Sequence, residues 1–533
     1  MRSSETIVAA PARRNGAHPQ GTVVQLPGRR DQLSRFWRHG LPAIWCSGLM
    51  VVLLLAMLGG MVTLILTRGL GQFWPAGLVQ IRTQDAEYLG PVRQRETVRL
   101  PATGDAAARR VHRLQLHVGN RDLYGQDFRW IDETAVVERS FPADAVVLER
   151  QEHGNFHGYL RGVEIDGAAV ADGSAGDEPL WQRFKDEARE SRRMFGRLQE
   201  LEHDYDAARQ EERDGLIETL AQRVGVFATV DGREKRVQLD QIVRAYRPNQ
   251  MNVATRSGFY VTKLWEFVST QPRESNTEGG IYPALFGTVL MVLLMTIAVV
   301  PFGVIAALYL HEYARAGAIV RAVRLAVANL AGVPSIVFGM FGLAFFVYGV
   351  GGAIDRTFYA DALPNPTFGT GGILWASLTL ALLTLPVVVV ATEEGLSAVP
   401  RANREGSLAL GATKWQTLWH VVLPQAVPGI LTGVILAISR AAGEVAPLML
   451  TGVVKLAPAL ALDTEAPFVH LERKFMHLGF HVYDVSMQSP NVEAAKPMVY
   501  STTLLLLVLV VALNASAIVV RNNMRRRYRG AAV

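Results

Sequence analysis

The chain has 533 residues, half of them apolar and 19% charged, with a formal net charge of +6. That mixture points away from both a purely soluble globule and a bare bundle of lipid-buried helices, so membrane and aqueous parts are both expected. With Cys46 as its one cysteine, the sequence excludes an internal disulfide and a cysteine-built metal site.

Apolar windows long enough to cross a hydrocarbon core of about 30 Å recur six times, at 43–67, 281–310, 325–350, 373–391, 426–453 and 499–520. The basic arm 1–42 carries Arg13, Arg14, Arg29, Arg30, Arg35 and Arg38, and the tail 521–533 contains RNNMRRRYRG. Lys and Arg near span ends stay inside, so both termini are expected in the cytoplasm, as an even number of spans requires. The first window is expected to remain as an anchor. Its apolar run is about twice a leader's length, lies behind some forty residues and ends in LTRGLGQF without a small-residue cleavage site. These inner tails account for most of the net charge, which is therefore a topology signal and no sign of nucleic-acid binding. Cys46, inside the first span, reads as a packing residue.

Residues 68–280 form an aqueous insertion, placed outside the cytoplasm by the span count and large enough for its own core. VHRLQLHVG (111–119) and ETAVVERSF (133–141) alternate like strands of a small β-rich unit. From 179 to 224, Trp181, Phe184, Ala188, Phe195, Leu198 and Tyr205 recur at threes and fours, which predicts a long amphipathic helix or helical hairpin. A strand pair is expected over 224–239 with Asp231-Gly232 at its turn, then RAYRPNQMN (244–252) as a connector. His153 and His157 are four apart, as are His477 and His481; without a third ligand each pair reads as surface loop, so no metal site is expected.

The loop 392–424 ends in VPRANREGSLALGATKWQTLWHVVLP. Pro400 suits a helix start, Gly411 a left-handed stop, and Thr413 with Gln416 a capping box, so the expected product is a rigid two-helix elbow. Beyond it, the fifth window carries Arg440 and Glu444 near its middle, each costing roughly 2.5 to 3.5 kcal/mol at the bilayer centre. On a continuous helix they share one face. Charges so placed usually mark function, and the alternative is a structural salt bridge between the two. Ser335, behind Pro334, is a further functional candidate or a satisfier of a proline kink. The chain has no Gly-x-x-x-x-Gly-Lys-Ser/Thr loop, so it cannot itself cradle ATP in a P-loop.

The elbow resembles that of permeases of binding-protein-dependent ABC importers, whose loop runs Glu-Ala-Ala, three residues, Gly, nine residues, then Ile-x-Leu-Pro. Here Glu405, Gly406, Ser407, Gly411, Val421, Leu423 and Pro424 stand at that spacing, departing from alanine at Gly406 and Ser407 and from isoleucine at Val421. Those departures are expected to loosen the elbow helix. Within the superfamily, the segments 329–347, 384–415, 439–452 and 481–490 resemble PstA-type permeases of phosphate importers.

The resemblance implies a mostly α, six-helix transmembrane permease of the MetI-like type, its first helix at 43–67 and its permease transmembrane domain at 281–520, with the large α+β extracytoplasmic insertion between its first two helices. It implies a non-catalytic subunit of an ATP-driven phosphate importer, with Arg440, Glu444 and Ser335 on the translocation path. Glu405, Gly406, Ser407, Gly411, Leu423 and Pro424 would contact the ATPase. Implied partners are a PstC-like second permease, a PstB-like ATPase dimer and a PstS-like periplasmic phosphate-binding protein. No cofactor belongs to this chain, since ATP and Mg sit on the ATPase. Permeation of another oxyanion such as sulfate or molybdate is the alternative within transport, and a membrane-anchored sensor or docking protein the alternative outside it.

Overall fold

The computed structural model describes residues 41–100, 109–173, 176–201, 207–315, 317–464 and 466–529. Arg13, Arg14, Arg29, Arg30, Arg35 and Arg38 lie outside these residues, as does Tyr205. Six helices among the described residues are long and apolar enough to cross a membrane: Ala43–Gly71, Tyr282–Tyr313, Ser335–Phe358, Ile373–Ser397, Lys414–Gly443 and Val492–Arg526. We call them spans one to six. The chain divides into two compact units, Met1–Thr67 and Arg68–Val533. In the first, the helix Leu41–Gly71 exposes nearly every apolar side chain, including Cys46. The cysteine is therefore no packing residue; its helix offers that surface to lipid.

The second unit contains everything else. Span four is its axis, with two thirds of its most apolar window buried (67%), against 6% in span six. Ser377, Thr379, Thr384 and Thr392 lie buried on span four, and each hydroxyl donates to the carbonyl four residues back. That local bond removes the desolvation cost of a buried hydroxyl. Met291, Met295 and Val299 of span two and Ala437 and Ala441 of span five pack into the same core.

Two boundaries differ from the sequence reading. The window 325–350 merges two elements: the helix Ala318–Leu330 has no buried residue, and span three starts afresh at Ser335 behind Pro334. The window 426–453 is also broken. Its helix Leu423–Gly443 stops when Glu444 turns extended (φ −78°, ψ 134°), and a separate helix follows at Ala446–Thr451. Apolarity continues through both breaks, which is why hydropathy alone cannot see them.

The insertion is α+β, as expected. Strands Val79–Thr83, Glu87–Gly90 and Val136–Ser140 form one antiparallel sheet, and Val92–Leu100, Arg109–His117 and Phe128–Asp132 another. A larger sheet runs Glu234–Gln238, Arg223–Ala228, Phe156–Ile165, Val146–Arg150, Ile242–Tyr246, with Ala168–Asp172 paired to Phe156–Ile165. The helix Glu178–Leu201 buries Trp181, Phe184 and Ala188 against this sheet, and Ala207–Ala221 follows it. The hairpin over 223–238 closes through the Thr229 N–H to the Arg233 carbonyl (2.9 Å), with Gly232 at φ +81°. The expected connector is otherwise: residues 244–246 lie in a strand, and an unforeseen helix, Val253–Ser269, leads to span two.

The insertion is fastened to the loop between spans five and six and to the start of span six. Asn276 Nδ2 donates to the Lys455 carbonyl (3.1 Å) and to Asp484 Oδ2 (3.3 Å), Gln115 Nε2 donates to Glu493 Oε2 (3.3 Å), and Asn491 pairs with Asp127. Three expected surface histidines are in fact buried. His157 lies within a strand, its Nδ1 3.0 Å from the Val118 carbonyl, and burial pushes its pKa down to about 4. His477 caps the helix Leu478–Met487 by accepting the Gly479 N–H at 3.1 Å, and His481 lies one turn on. Burial pushes them down to about 3 and about 4. Leu478 and Val485 of that helix belong to the apolar cluster around Ile281 and Ala284, which draws the histidines inward.

Candidate functional site

The elbow forms where it was expected. Pro400 is the N-cap of the helix Arg401–Ala409, which holds Glu405 and Gly406 exposed and Ser407 half-buried. Gly411 turns the chain at φ +85°, a left-handed conformation that a side chain makes costly. Thr413 and Gln416 form the reciprocal capping box, restarting the helix at Lys414. Ser407 Oγ and Thr417 Oγ1 lie 3.0 Å apart across the angle, and Asn403 Nδ2 donates to Gln425 Oε1 at 2.8 Å. These bonds fix the two arms as one body. Leu410 at the tip is 91% exposed, and Trp415 and Trp419 stack at 5.8 Å between ring centroids with more than half of each surface open.

Contacts with span two fix the elbow's angle. Glu312, in the final π-helical turn of span two, forms an ion pair with Arg404, and its backbone carbonyl accepts from Lys414. Lys414 also sits 4.7 Å above the Tyr313 ring, and His311 bridges Glu312 (2.9 Å) to Ser397 Oγ (3.0 Å). Sequence reasoning missed Glu312; the available signal was an acidic residue at the end of a span whose following link is basic.

Leu423 and Pro424 open the helix Leu423–Gly443, directly after the π-helical turn Leu418–Val422. Arg440 stands in the last turn of that helix, roughly 24 Å from Pro424 at 1.5 Å per residue, and not at the middle of a continuous span. A cation there complements the helix's free carbonyls. Glu444 is the C-cap, and its Oε1 lies 3.5 Å from Arg440 Nε, beyond a normal hydrogen-bond length. Both side chains are partly exposed, at 33% and 21%. Immediately before Arg440 the chain is steadied by span six: Ser439 Oγ donates to Asn514 Oδ1 at 2.8 Å.

Ser335 opens span three at Pro334, and the helix it begins packs through Gly339 on Pro447, three residues beyond Glu444. The structure thus places Arg440, Glu444 and the span-three helix around one break, with the elbow at the far end of the same span-five helix. The two groups of residues share a rigid element and do not touch.

Residues 299–530 match the family of binding-protein-dependent transport system inner membrane components. The chain is 32% identical over 237 residues to the probable ABC transporter permease protein YqgI of Bacillus subtilis, covering 43% of this chain and 74% of that one. The chain belongs to this permease family. It is also 37% identical over 202 residues to the phosphate transport system permease protein PstA of Mycobacterium leprae, spanning 37% of this chain and 60% of that relative's length. Among solved structures, a chain of the MetNI methionine ABC transporter is similar at 18% identity and a TM-score of 0.33, over 49% of this chain and 98% of that one. Six apolar helices together with this membership make the protein a multi-pass inner-membrane permease.

Proposed function

We propose that the chain is the PstA-like permease of an ATP-driven importer of inorganic phosphate. It would work beside a PstC-like permease, on a PstB-like ATPase dimer, and receive phosphate from a PstS-like binding protein. The supporting observation is the loose Arg440–Glu444 pair, held at a helix break by the span-three helix and Asn514. The 3.5 Å separation and the partial exposure of both side chains leave the guanidinium fork able to grip two oxygens of a phosphate. Glu444 then accepts from the protonated oxygen, favouring a hydrogenphosphate over a fully ionised sulfate. Ser335 lies on the same path.

Force enters at the other end. Closure of the ATPase pushes the elbow at Glu405 and Gly411, and the helix Leu423–Gly443 carries the displacement to Arg440 as a lever. Both termini and the elbow lie in the cytoplasm in this reading, with the insertion outside. No catalytic group is required of this chain.

Phosphate uptake by the reconstituted complex tests the reading. Arg440→Gln is expected to cut uptake roughly 10- to 100-fold, the worth of one charge-assisted hydrogen bond, with assembly and basal ATP hydrolysis intact. Glu405→Lys should abolish ATP-driven uptake while the protein stays in the membrane. Normal phosphate uptake by Arg440→Gln, or misassembly in its place, would overturn the substrate role of the pair.

A further inference from the structure

The helix Val253–Ser269 is inside out for an aqueous domain. Its charged residues face inward: Arg256 donates to the Pro248 carbonyl (2.9 Å), Lys263 pairs with Glu149, and Glu266 pairs with Arg244 (2.9 Å) and Arg273 (3.1 Å). Its exposed positions carry no charge at all. Val253, Val261 and Trp265 are 74%, 64% and 70% exposed, with small and hydroxyl residues between them. A solvated helix shows the reverse pattern.

The hydroxyls on that outer face turn inward too. Ser257 Oγ donates to the Val253 carbonyl (2.9 Å), Thr262 Oγ1 to Gly258 (2.9 Å) and Ser269 Oγ to Trp265 (2.7 Å). Hydroxyls satisfied by their own helix are the form in which these residues tolerate hydrocarbon. The helix also ends at the entry to a span. Phe267 packs with Ile281 and Ala284, and its carbonyl accepts the Ile281 N–H at 2.8 Å, one residue before span two. Trp74 lies 5.9 Å from Tyr260, and Trp74, Tyr260 and Trp265 are residues that favour the membrane–water interface.

We infer that the face Val253–Val261–Trp265 rests on the lipid bilayer, with the insertion riding on the opposite, ion-paired face. The helix is then an interfacial anchor that holds the insertion against the leaflet on its side of the membrane. A protein partner would leave charged groups at the rim of the face, and the exposed positions of this helix carry none. The inference is independent of which ion the permease carries.

Nitroxide labelling of the assembled permease complex tests it, in vesicles of phosphatidylethanolamine and phosphatidylglycerol. In a Cys46→Ser background, labels are placed through Val261→Cys, Trp265→Cys and, as an aqueous control, Val170→Cys on the exposed strand Ala168–Asp172. Labels at 261 and 265 should collide several-fold more with oxygen than with a water-soluble nickel chelate, at a depth of roughly 5 to 10 Å, and the label at 170 should do the opposite. Nickel accessibility at 261 equal to that at 170 overturns the inference, as does shielding from both reagents, which would mean a protein covers the face. If Trp265→Cys prevents assembly, the label at 261 decides alone.

Discussion

Glu312 should decide whether the elbow moves with the membrane helices or apart from them. Its carboxylate, 11% exposed, pairs with Arg404, 21% exposed, while the Lys414 contact uses the backbone carbonyl and survives any side-chain change. Glu312→Gln therefore removes the ionic link to Arg404 while keeping the side chain's size and an amide oxygen that can still meet His311. A surface pair contributes about 0 to 1 kcal/mol and loss of one partner of a buried pair costs about 3 to 5, so this half-buried pair should lie near 1 to 2 kcal/mol. Divided between a docked and an undocked elbow, that is roughly a 5- to 30-fold shift in population. The measurement is phosphate taken up per ATP hydrolysed by reconstituted complexes. We expect uptake per ATP to fall in Glu312→Gln while ATP hydrolysis persists, and Arg404→Gln combined with it to add little, because the two share one interaction. Unchanged stoichiometry in Glu312→Gln, or full additivity of the two, would refute the latch.

Three other outcomes follow from the geometry. Gly411→Ala should weaken the elbow by about 1 to 2 kcal/mol because of its positive φ, whereas Gly406→Ala, where an added Cβ meets nothing, should strengthen it by about 0.5 to 1; limited proteolysis of the elbow reads both. Gly339→Val should disrupt the seat of span three on Pro447, since even a Cβ would lie 2.8 Å from the Pro447 Cα, and thermal unfolding of the purified permease should come several degrees earlier. Buried His157 has its pKa pushed from 6.5 down to about 4, so the unfolded chain binds more protons between those values. The insertion should therefore be fully stabilised above pH 6.5 and lose on the order of 3 kcal/mol as pH falls to about 4, with His157→Gln flattening the dependence of its unfolding on pH.

The elbow was legible because its signals are local. Pro400, Gly411 and the Thr413–Gln416 box each act within one turn of backbone, and the structure forms each of them. The spans were legible because hydrocarbon demands length and apolarity, properties that add along the chain. The insertion's mixed class and its hairpin were equally readable from alternation and from Asp231-Gly232.

Gly406 lies inside the helix Arg401–Ala409 with room for an alanine, which agrees with its reading as a position that loosens the elbow. Burial was not legible. Sequence spacing treats His157, His477 and His481 as loop residues, and only the packing of their strand and helix against distant apolar side chains takes them out of water.

Sequence by itself determined six apolar spans, an α+β insertion and a glycine-jointed elbow, because each depends on neighbours a few residues away. Tertiary structure alone decided that span five breaks at Glu444, that Glu312 clasps Arg404 across 92 residues of sequence, and that the helix before span two turns its charges inward. Those outcomes depend on which surfaces meet, and an ion pair or a buried face has no signature until its partner is in place.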